Sequence, residues 1–161
     1  ALGISRCATI SFSGAGWDTH GNNDTTQSSN FAQLFTGLQD LMVRLATTSG
    51  PDGKPLDEDT VVVVLSEMGR TPQLNDEDGK DHWPFTACLV VGNGVAGNRV
   101  VGAYDTYYYG ELIDFATGDV DRKTGSNLTS ANFGATLLNL ADIDHNDHMP
   151  GIASIPGLLS D

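Results

Sequence analysis

The segment Thr60–Leu65 is the strongest constraint on the fold, because it reads Thr-Val-Val-Val-Val-Leu without polar alternation. Such a run is typical of a strand that is buried on both faces of a parallel sheet. Before it, apolar residues recur at three- and four-residue spacing from Phe31 to Leu45 and predict an amphipathic helix that starts near residue 28 or 29 and ends before Gly50. Together with a strand over Cys7–Phe12, the order strand, helix, strand predicts a right-handed βαβ crossover.

Later segments extend this pattern. A third buried strand is predicted over Thr86–Val91, and Ser130–Ala141 is predicted to form a closing helix with Ser130 as its N-cap. Residues 98–128 indicate an excursion or hairpin with turn residues at its tip. We therefore expect a single α/β domain over residues 1–161, with a mainly parallel sheet and flanking helices.

The chain is strongly acidic, with a net charge of -13 and a pI near 4.3. This charge disfavours nucleic acid and anionic membrane surfaces as partners, since both attract positively charged proteins. No apolar run approaches the ~20 residues that a membrane span needs. The 161 residues are enough to bury a core without disulfides, and we expect Cys7 and Cys88 to be free thiols buried in core strands.

Side chains that can bind a metal occur in three loops next to the predicted strands. Asp18 and His20 follow the first strand, Glu67 follows the second, and Asp81 and His82 precede the third. Ligand sites of α/β proteins form where loops leave the carboxyl ends of parallel strands. Carboxylate and imidazole groups suit a borderline cation such as zinc. The sequence therefore predicts a divalent metal site built from separate parts of the chain.

Each of these residues also has an ordinary structural interpretation. Asp18 could cap the turn that follows it while His20 packs on Trp17. Glu67 comes after an apolar run, where a carboxylate is costly unless it is paired or bound to a metal. A salt bridge from Glu67 to Arg70 would meet that need without any metal.

Arg70 and the pair Asp81 and His82 have alternatives of the same kind. The planar guanidinium of Arg70 suits phosphate or sulfate, which makes Arg70 a candidate for substrate binding. Structural pairing of Arg70 with Glu67 or Asp81 is the commoner role. We expect Asp81 to support a ligand rather than to bind the metal, and a histidine with an aromatic neighbour, such as His82, is often only packed.

Three sequence blocks carry a family resemblance. They are Gly-Trp-Asp-Thr-His-Gly-Asn-Asn from Gly16, Asp-Thr-Val-Val-Val-Val-Leu-Ser-Glu-Met-Gly-Arg-Thr-Pro from Asp59, and Gly-Lys-Asp-His-Trp-Pro from Gly79. In this order they resemble the bacterial sulfatase-like family of unknown function DUF1501, which is similar to the alkaline phosphatase and sulfatase superfamily. The resemblance implies an alkaline-phosphatase-like fold that holds one or two divalent metals (zinc, calcium or magnesium) at the carboxyl ends of a parallel sheet.

The resemblance also implies roles for individual residues. Asp18 and His20 fall where the superfamily places an Asp and a His on one metal, and His82 falls where a later His completes that site. Glu67 falls where the superfamily places an Asp on the other metal. Met68 departs from the superfamily pattern, which has a His at this point, and a thioether is a poor ligand for zinc, calcium or magnesium.

The activity that the resemblance implies is metal-dependent hydrolysis of phosphate or sulfate esters. In the superfamily the nucleophile comes from an amino-terminal half, so we expect this chain to be a carboxy-terminal part of such an enzyme. The expected partners are a small ester or a polysaccharide substrate, and the missing amino-terminal half or another chain. The family implies a periplasmic or extracellular location in bacteria. The alternative is a non-catalytic extracellular structural or binding module on the same fold.

Overall fold

The computed structural model describes residues 5–160. Two α-helices lie in this range, α1 over Asn23–Thr47 and α2 over Ser130–Leu140. Four short strands accompany them, namely β1 Val61–Val64, β2 Gly69–Arg70, β3 His82–Trp83 and β4 Leu89–Gly92. Short 3-10 turns cover Ser13–Ala15, Leu56–Asp59, His145–Asp147 and Pro156–Leu158. Neither of the two described helices has both the length and the apolar character that a membrane span requires.

The strands form two small sheets within residues 5–160. One sheet pairs β1 with β4, and the other pairs β2 with β3. The strands β2 and β3 are antiparallel, with Gly69 opposite Trp83 and Arg70 opposite His82. The prediction of an α/β fold with a mainly parallel sheet, flanking helices and an alkaline-phosphatase-like architecture is therefore wrong.

The reason lies in the segments that were expected to flank β1. Residues 7–12, predicted as the first strand, form no strand and are exposed. The valines of β1 are half-buried rather than buried on both faces, and β4 is the one partner of β1 among the described strands. A β-branched run favours extended backbone because it fits a pleated surface. It does not fix how many neighbours the strand has.

Helix α1 confirms the predicted amphipathic segment but begins earlier than expected. Its N-cap, Asn22, has a φ of 50°, a left-handed conformation that Asn adopts more readily than most residues. The first helical residue, Asn23, is buried, and its side-chain oxygen accepts a hydrogen bond of 2.8 Å from the Thr19 hydroxyl. The helix ends at Thr47, before Gly50 as predicted. Polar contacts with the preceding loop therefore stabilise the helical residues from Asn23 onward that lie before the predicted start.

Helix α2 is confirmed over Ser130–Leu140, but its N-cap is Thr129 rather than Ser130. The Thr129 hydroxyl accepts a hydrogen bond from the backbone N–H of Asn132, and the Asn132 side chain accepts one from the backbone N–H of Thr129. This reciprocal capping box satisfies two helix-end donors. Inside the helix, the hydroxyl of the fully buried Thr136 accepts a hydrogen bond of 2.9 Å from the backbone N–H of Ile155.

The chain divides into two compact units. The first comprises the residues up to Thr60 together with Val64–Cys88, and the second comprises Val61–Val63 together with the residues from Leu89 onward. Buried apolar side chains of the second unit include Ile113, Ala135 and Ile155. Isolated bridges join Tyr104 to Gly110, and Ile113 to both Val120 and Ser126.

The two cysteines are free, as predicted, but both are exposed. The prediction that Cys7 and Cys88 are buried in core strands is therefore wrong, because Cys7 belongs to the non-strand segment and Cys88 precedes β4. Exposure leaves both thiols open to solvent.

Candidate metal centre

The loop that carries Asp18 and His20 is held by the start of helix α1. The side-chain amide of Gln27 donates to the carbonyl of Trp17 at 2.9 Å and to the Thr19 hydroxyl at 3.0 Å. Thr19 is 3% exposed. Because Thr19 lies between Asp18 and His20 in the chain, its burial points the backbone of this loop inward and leaves both neighbouring side chains at the surface.

A second loop, over residues 71–81, is joined to the first by backbone hydrogen bonds. The N–H of Lys80 donates to the carbonyl of Thr19 at 2.9 Å, and the N–H of Asn23 donates to the carbonyl of Asp78 at 2.9 Å. Asn75 adds a side-chain link, since its amide donates to the carbonyl of His20 at 3.0 Å. These contacts fix the two loops against each other within the first unit.

Gly79 allows this close approach. A Cβ atom at position 79 would overlap the backbone carbonyl of His20, so any residue other than glycine must push the loops apart. The Asn75 side chain accepts the N–H of Gly79 at 2.9 Å and that of Glu77 at 3.0 Å. These two hydrogen bonds hold the turn over residues 75–79 in the conformation that contacts the backbone of His20.

The antiparallel pairing of β2 and β3 brings Arg70 and His82 to Asp18. Arg70 lies opposite His82 in this pairing. Nη2 of Arg70 forms a short ion pair with Oδ1 of Asp18, and Nε2 of His82 lies 3.3 Å from the same oxygen. Arg70 also donates to the carbonyls of Lys80 at 3.1 Å and Trp17 at 3.2 Å. The Arg70 guanidinium is therefore a cross-link between β2 and both loops.

Three potential ligand atoms converge at this point. The Nε2 atom of His20 lies 3.1 Å from Oδ1 of Asp18 and 3.2 Å from Nε2 of His82, and the third side of the triangle is 3.3 Å. The side chains of Asp18, His20 and His82 are 69%, 45% and 54% exposed. We name Asp18, His20 and His82 the His2Asp cluster. It is accessible to solvent, and its three atoms can hold a metal ion.

Asp81 contacts His20 at Nδ1, the ring nitrogen that does not face the cluster. Its Oδ1 lies 2.8 Å from Nδ1 of His20 and also accepts a hydrogen bond from the Asn75 side chain at 3.3 Å. Because a carboxylate only accepts, Nδ1 of His20 carries the proton, and a neutral His20 presents the lone pair of Nε2 to the cluster. This arrangement of carboxylate and imidazole is the usual support of a metal-binding histidine.

Both carboxylates of the site are held in the ionised form. The hydrogen bond from Arg70, followed by that with His82, lowers the pKa of Asp18. The hydrogen bond with His20, followed by that from Asn75, lowers the pKa of Asp81. Hydrogen bonds to the charged form of an acid favour that form, which is the direction seen for both groups.

The structure brings three of the four predicted ligands together and leaves Glu67 apart. The Glu67 carboxylate is exposed and accepts a hydrogen bond of 3.2 Å from the Ser66 hydroxyl. Arg70 forms its ion pair with Asp18, so the alternative of a Glu67–Arg70 pair is not what the described residues show. Trp17 packs its ring against Phe12 and Phe31.

Sequence reasoning missed Asn75 and Gly79 as parts of the site. Both lie in the segment Asn-Asp-Glu-Asp-Gly, which has the composition of a turn. An Asn that starts a turn and a Gly that ends it were the available signal, but nothing in the segment indicates which other loop it contacts.

A sequence model of one family, described as "Protein of unknown function (DUF1501)", matches residues 4–156. No curated protein and no solved structure matches the chain. The match extends over all three blocks that carry the resemblance and over every residue of the His2Asp cluster. The chain belongs to the DUF1501 family of proteins of unknown function.

Proposed function

We propose that Asp18, His20 and His82 bind one divalent cation and that the protein uses it to hydrolyse phosphate or sulfate esters. The observation that carries this proposal is the convergence of two imidazole Nε2 atoms and one carboxylate oxygen at 3.1, 3.2 and 3.3 Å. These atoms come from a loop and a strand about 60 residues apart in the chain. Chain proximity therefore does not account for their meeting.

The separations of the three atoms fit zinc. Bonds of about 2.0–2.1 Å in a tetrahedral zinc site set the ligand atoms about 3.3 Å apart, and two His with one carboxylate form a catalytic zinc ligand set. Magnesium and calcium prefer oxygen ligands throughout, so the two imidazoles disfavour them. The same set of two His and one carboxylate also binds ferrous iron, and analysis of the bound metal distinguishes the two.

The neighbouring groups support cation binding at this place. Asp81 fixes the ring of His20 so that Nε2 faces Asp18 and His82. Arg70 holds the carboxylate of Asp18 in position, and the side chain of Arg70 is only 19% exposed. Its three hydrogen-bond partners commit Arg70 to positioning Asp18, so we assign it this role in preference to the substrate contact that its chemistry suggests.

Ester hydrolysis is the chemistry that such a centre serves. A zinc ion held by Asp18, His20 and His82 would supply Lewis-acid chemistry, polarising a phosphoryl or sulfuryl oxygen or lowering the pKa of water. The cluster side chains are between 45% and 69% exposed, which gives a substrate access from solvent. The absence of Glu67 from the cluster favours one metal over two.

A non-catalytic binding or structural module is the second candidate, and one observation favours it. The guanidinium of Arg70 already supplies a positive charge to Asp18. A cluster that is neutralised in this way can be stable as a hydrogen-bonded network without any cation. In this case the two histidines and Asp81 hold the loops together and have no chemical role.

The test is a zinc titration by calorimetry, with metal analysis of the purified protein. We expect His20→Ala and His82→Ala each to bind zinc at least about 100-fold more weakly, since loss of a supporting residue alone costs roughly 10–100-fold. His148→Ala, which changes an exposed histidine outside the cluster, should bind as the unchanged protein does. Hydrolysis of nitrophenyl phosphate and nitrophenyl sulfate is then measured with and without chelator.

The outcomes separate the two candidates. Zinc binding with chelator-sensitive hydrolysis supports the enzyme. Zinc binding without hydrolysis of either ester supports the module. Zinc affinity that is the same in His82→Ala and His148→Ala contradicts the metal centre itself.

A further inference from the structure

We propose that the second unit binds a neutral hexopyranose sugar in a cavity lined by Tyr104, Asp105, Thr106, Glu111 and Arg122. This cavity is an open depression in the protein surface rather than an enclosed pocket, and its volume is about 450 Å³. All five lining residues belong to the second unit. The proposal is therefore independent of the metal centre and of ester hydrolysis.

A paired guanidinium and carboxylate form one wall of the cavity. Nε of Arg122 donates to both carboxylate oxygens of Glu111 at 3.0 Å, and Nη2 forms a further short bond to Oε1. The Glu111 side chain is 11% exposed, whereas that of Arg122 is 74% exposed. Each carboxylate oxygen has two lone pairs, and Arg122 has five N–H donors, so the pair retains both donors and acceptors after it has formed.

This fixed pair complements the vicinal hydroxyls of a sugar. A hydroxyl both donates and accepts, and two equatorial hydroxyls on adjacent carbons can bind a planar donor and a planar acceptor that lie side by side. The bidentate geometry holds the pair in one orientation. An acyclic polyol would first have to adopt the matching conformation, at a cost in conformational entropy.

The loop next to this wall carries the aromatic rings. All four tyrosines of the sequence lie between Tyr104 and Tyr109, and each is between 44% and 74% exposed. Tyr104 lines the cavity. An aromatic ring offers a negative face to the polarised C–H groups of a pyranose, and such contacts orient the sugar ring.

Asp105 makes this loop rigid. Its Oδ1 accepts the backbone N–H groups of Tyr107 at 2.8 Å and Tyr109 at 3.0 Å, and its own N–H donates to the carbonyl of Tyr109 at 2.8 Å. Tyr108 is held at a φ of 64°, an unfavourable conformation that persists where the surroundings fix it and that is often found at ligand sites. A loop that is already ordered loses little entropy when a ligand binds.

The charges of the cavity select a neutral ligand. Asp105 and Glu111 are acidic, and the single cationic group among the lining residues, Arg122, is paired with Glu111. The two carboxylates in the cavity itself disfavour sulfated, phosphorylated and uronic sugars at this place. A cationic ligand is disfavoured as well, because it would lie against the exposed guanidinium of Arg122.

The test uses NMR of protein whose tyrosine rings alone are labelled with ¹³C, so that every signal comes from this loop. Methyl glycosides of glucose, galactose and mannose are titrated in turn, with sorbitol as the acyclic control. We expect saturable shifts of the Tyr104 ring with at least one glycoside and no comparable shifts with sorbitol. An oligosaccharide of the responsive sugar then shows whether the natural ligand is a polymer, which should bind more tightly, or a free sugar, which should bind equally.

Three variants test the assignment to the cavity. Arg122→Lys keeps the charge but loses the bidentate geometry, and we expect affinity to fall at least about tenfold, as for a lost hydrogen bond to a charged group. Glu111→Gln should weaken binding similarly. Arg99→Lys is the matched control, because Arg99 contacts Thr117 and Asp119 outside the cavity, and its affinity should be unchanged.

The proposal is overturned if the Tyr104 ring responds to none of the three glycosides, or if it responds equally to sorbitol. It is also overturned if Arg122→Lys and Glu111→Gln, with native-like spectra, bind as tightly as the Arg99→Lys control.

Discussion

The Nε2 atoms of His20 and His82 lie 3.2 Å apart, and their ring centroids lie 4.9 Å apart. Two nitrogen lone pairs at this distance repel each other, as do two N–H groups, so the arrangement requires a proton or a cation between them. Since Asp81 accepts the proton on Nδ1 of His20, the neutral form of His20 has a lone pair on Nε2 that can accept from His82 or bind a cation. The groups that support this contact are therefore open to test by substitution.

Asp81→Asn should weaken zinc binding by roughly 10–100-fold, the usual effect of losing a carboxylate that supports a metal-bound histidine. The amide of Asn can still occupy the place of the carboxylate but carries no charge to increase the basicity of the imidazole. Calorimetric titration measures the change. Asp76→Asn, an exposed carboxylate in the same loop, serves as the control, and an equal effect of both changes would contradict the role of Asp81.

Arg70→Gln should raise the pKa of Asp18 towards its ordinary value, because the hydrogen bond from Arg70 is the largest cause of the lowering. A lowered folded-state pKa contributes stability that is present above the unfolded pKa and is lost as the pH falls through the folded value. The variant should therefore lose less stability between neutral and acidic pH than the unchanged protein. Carboxyl titration by NMR measures the pKa, and Arg44→Gln in helix α1 should leave the pKa of Asp18 unchanged.

Gly79→Ala should destabilise the first unit and displace the His20 loop, because the added Cβ would overlap the carbonyl of His20. Gly37→Ala is the matched change, since Gly37 lies inside α1 and a Cβ added there would have open space within 4 Å. It should stabilise the protein by about 0.5–1 kcal/mol through helix propensity. Urea unfolding of both variants measures the difference, and equal stabilisation by both would contradict the close approach at Gly79.

Thr129→Ala should reduce the free energy of unfolding by about 1 kcal/mol, the typical cost of losing an N-cap side chain. Ser130→Ala should be close to neutral or slightly stabilising, because Ser130 occupies the first helical position and Ala has the higher helix propensity. Thermal unfolding of the two variants compares adjacent residues in one helix. The reverse order of stabilities would restore Ser130 as the N-cap.

The sequence predicted the elements that depend on local pattern and failed where distant partners decide. The apolar spacing up to Leu45 identified α1, and the valine run identified β1, because both signals are local. The parallel sheet required residues 7–12 to pair as a strand, and composition does not show whether a partner strand is within reach. The N-cap was displaced by one residue because Thr129 and Ser130 both have hydroxyls, and only the position of Asn132 distinguishes them.

The candidate site was predicted in part for a related reason. Asp18, His20 and His82 were identified as residue types in loops, and the structure brings them together. Backbone hydrogen bonds between the two loops, and the close approach that glycine allows at position 79, align these residues. Neither feature can be recognised from the types of side chain in the sequence. Glu67 was included for its position after a strand, and its role as a ligand of a second metal stays a prediction.

The separation of aromatic residues between the two units has a practical consequence. Both tryptophans, Trp17 and Trp83, belong to the first unit and adjoin Asp18 and His82 in the chain, whereas all four tyrosines belong to the second. Selective excitation of indole fluorescence therefore follows events at the His2Asp cluster, and the NMR signals of the tyrosine rings follow the loop from Tyr104 to Tyr109. One unmodified sample can thus report independently on how each half of the molecule melts or responds to an added compound.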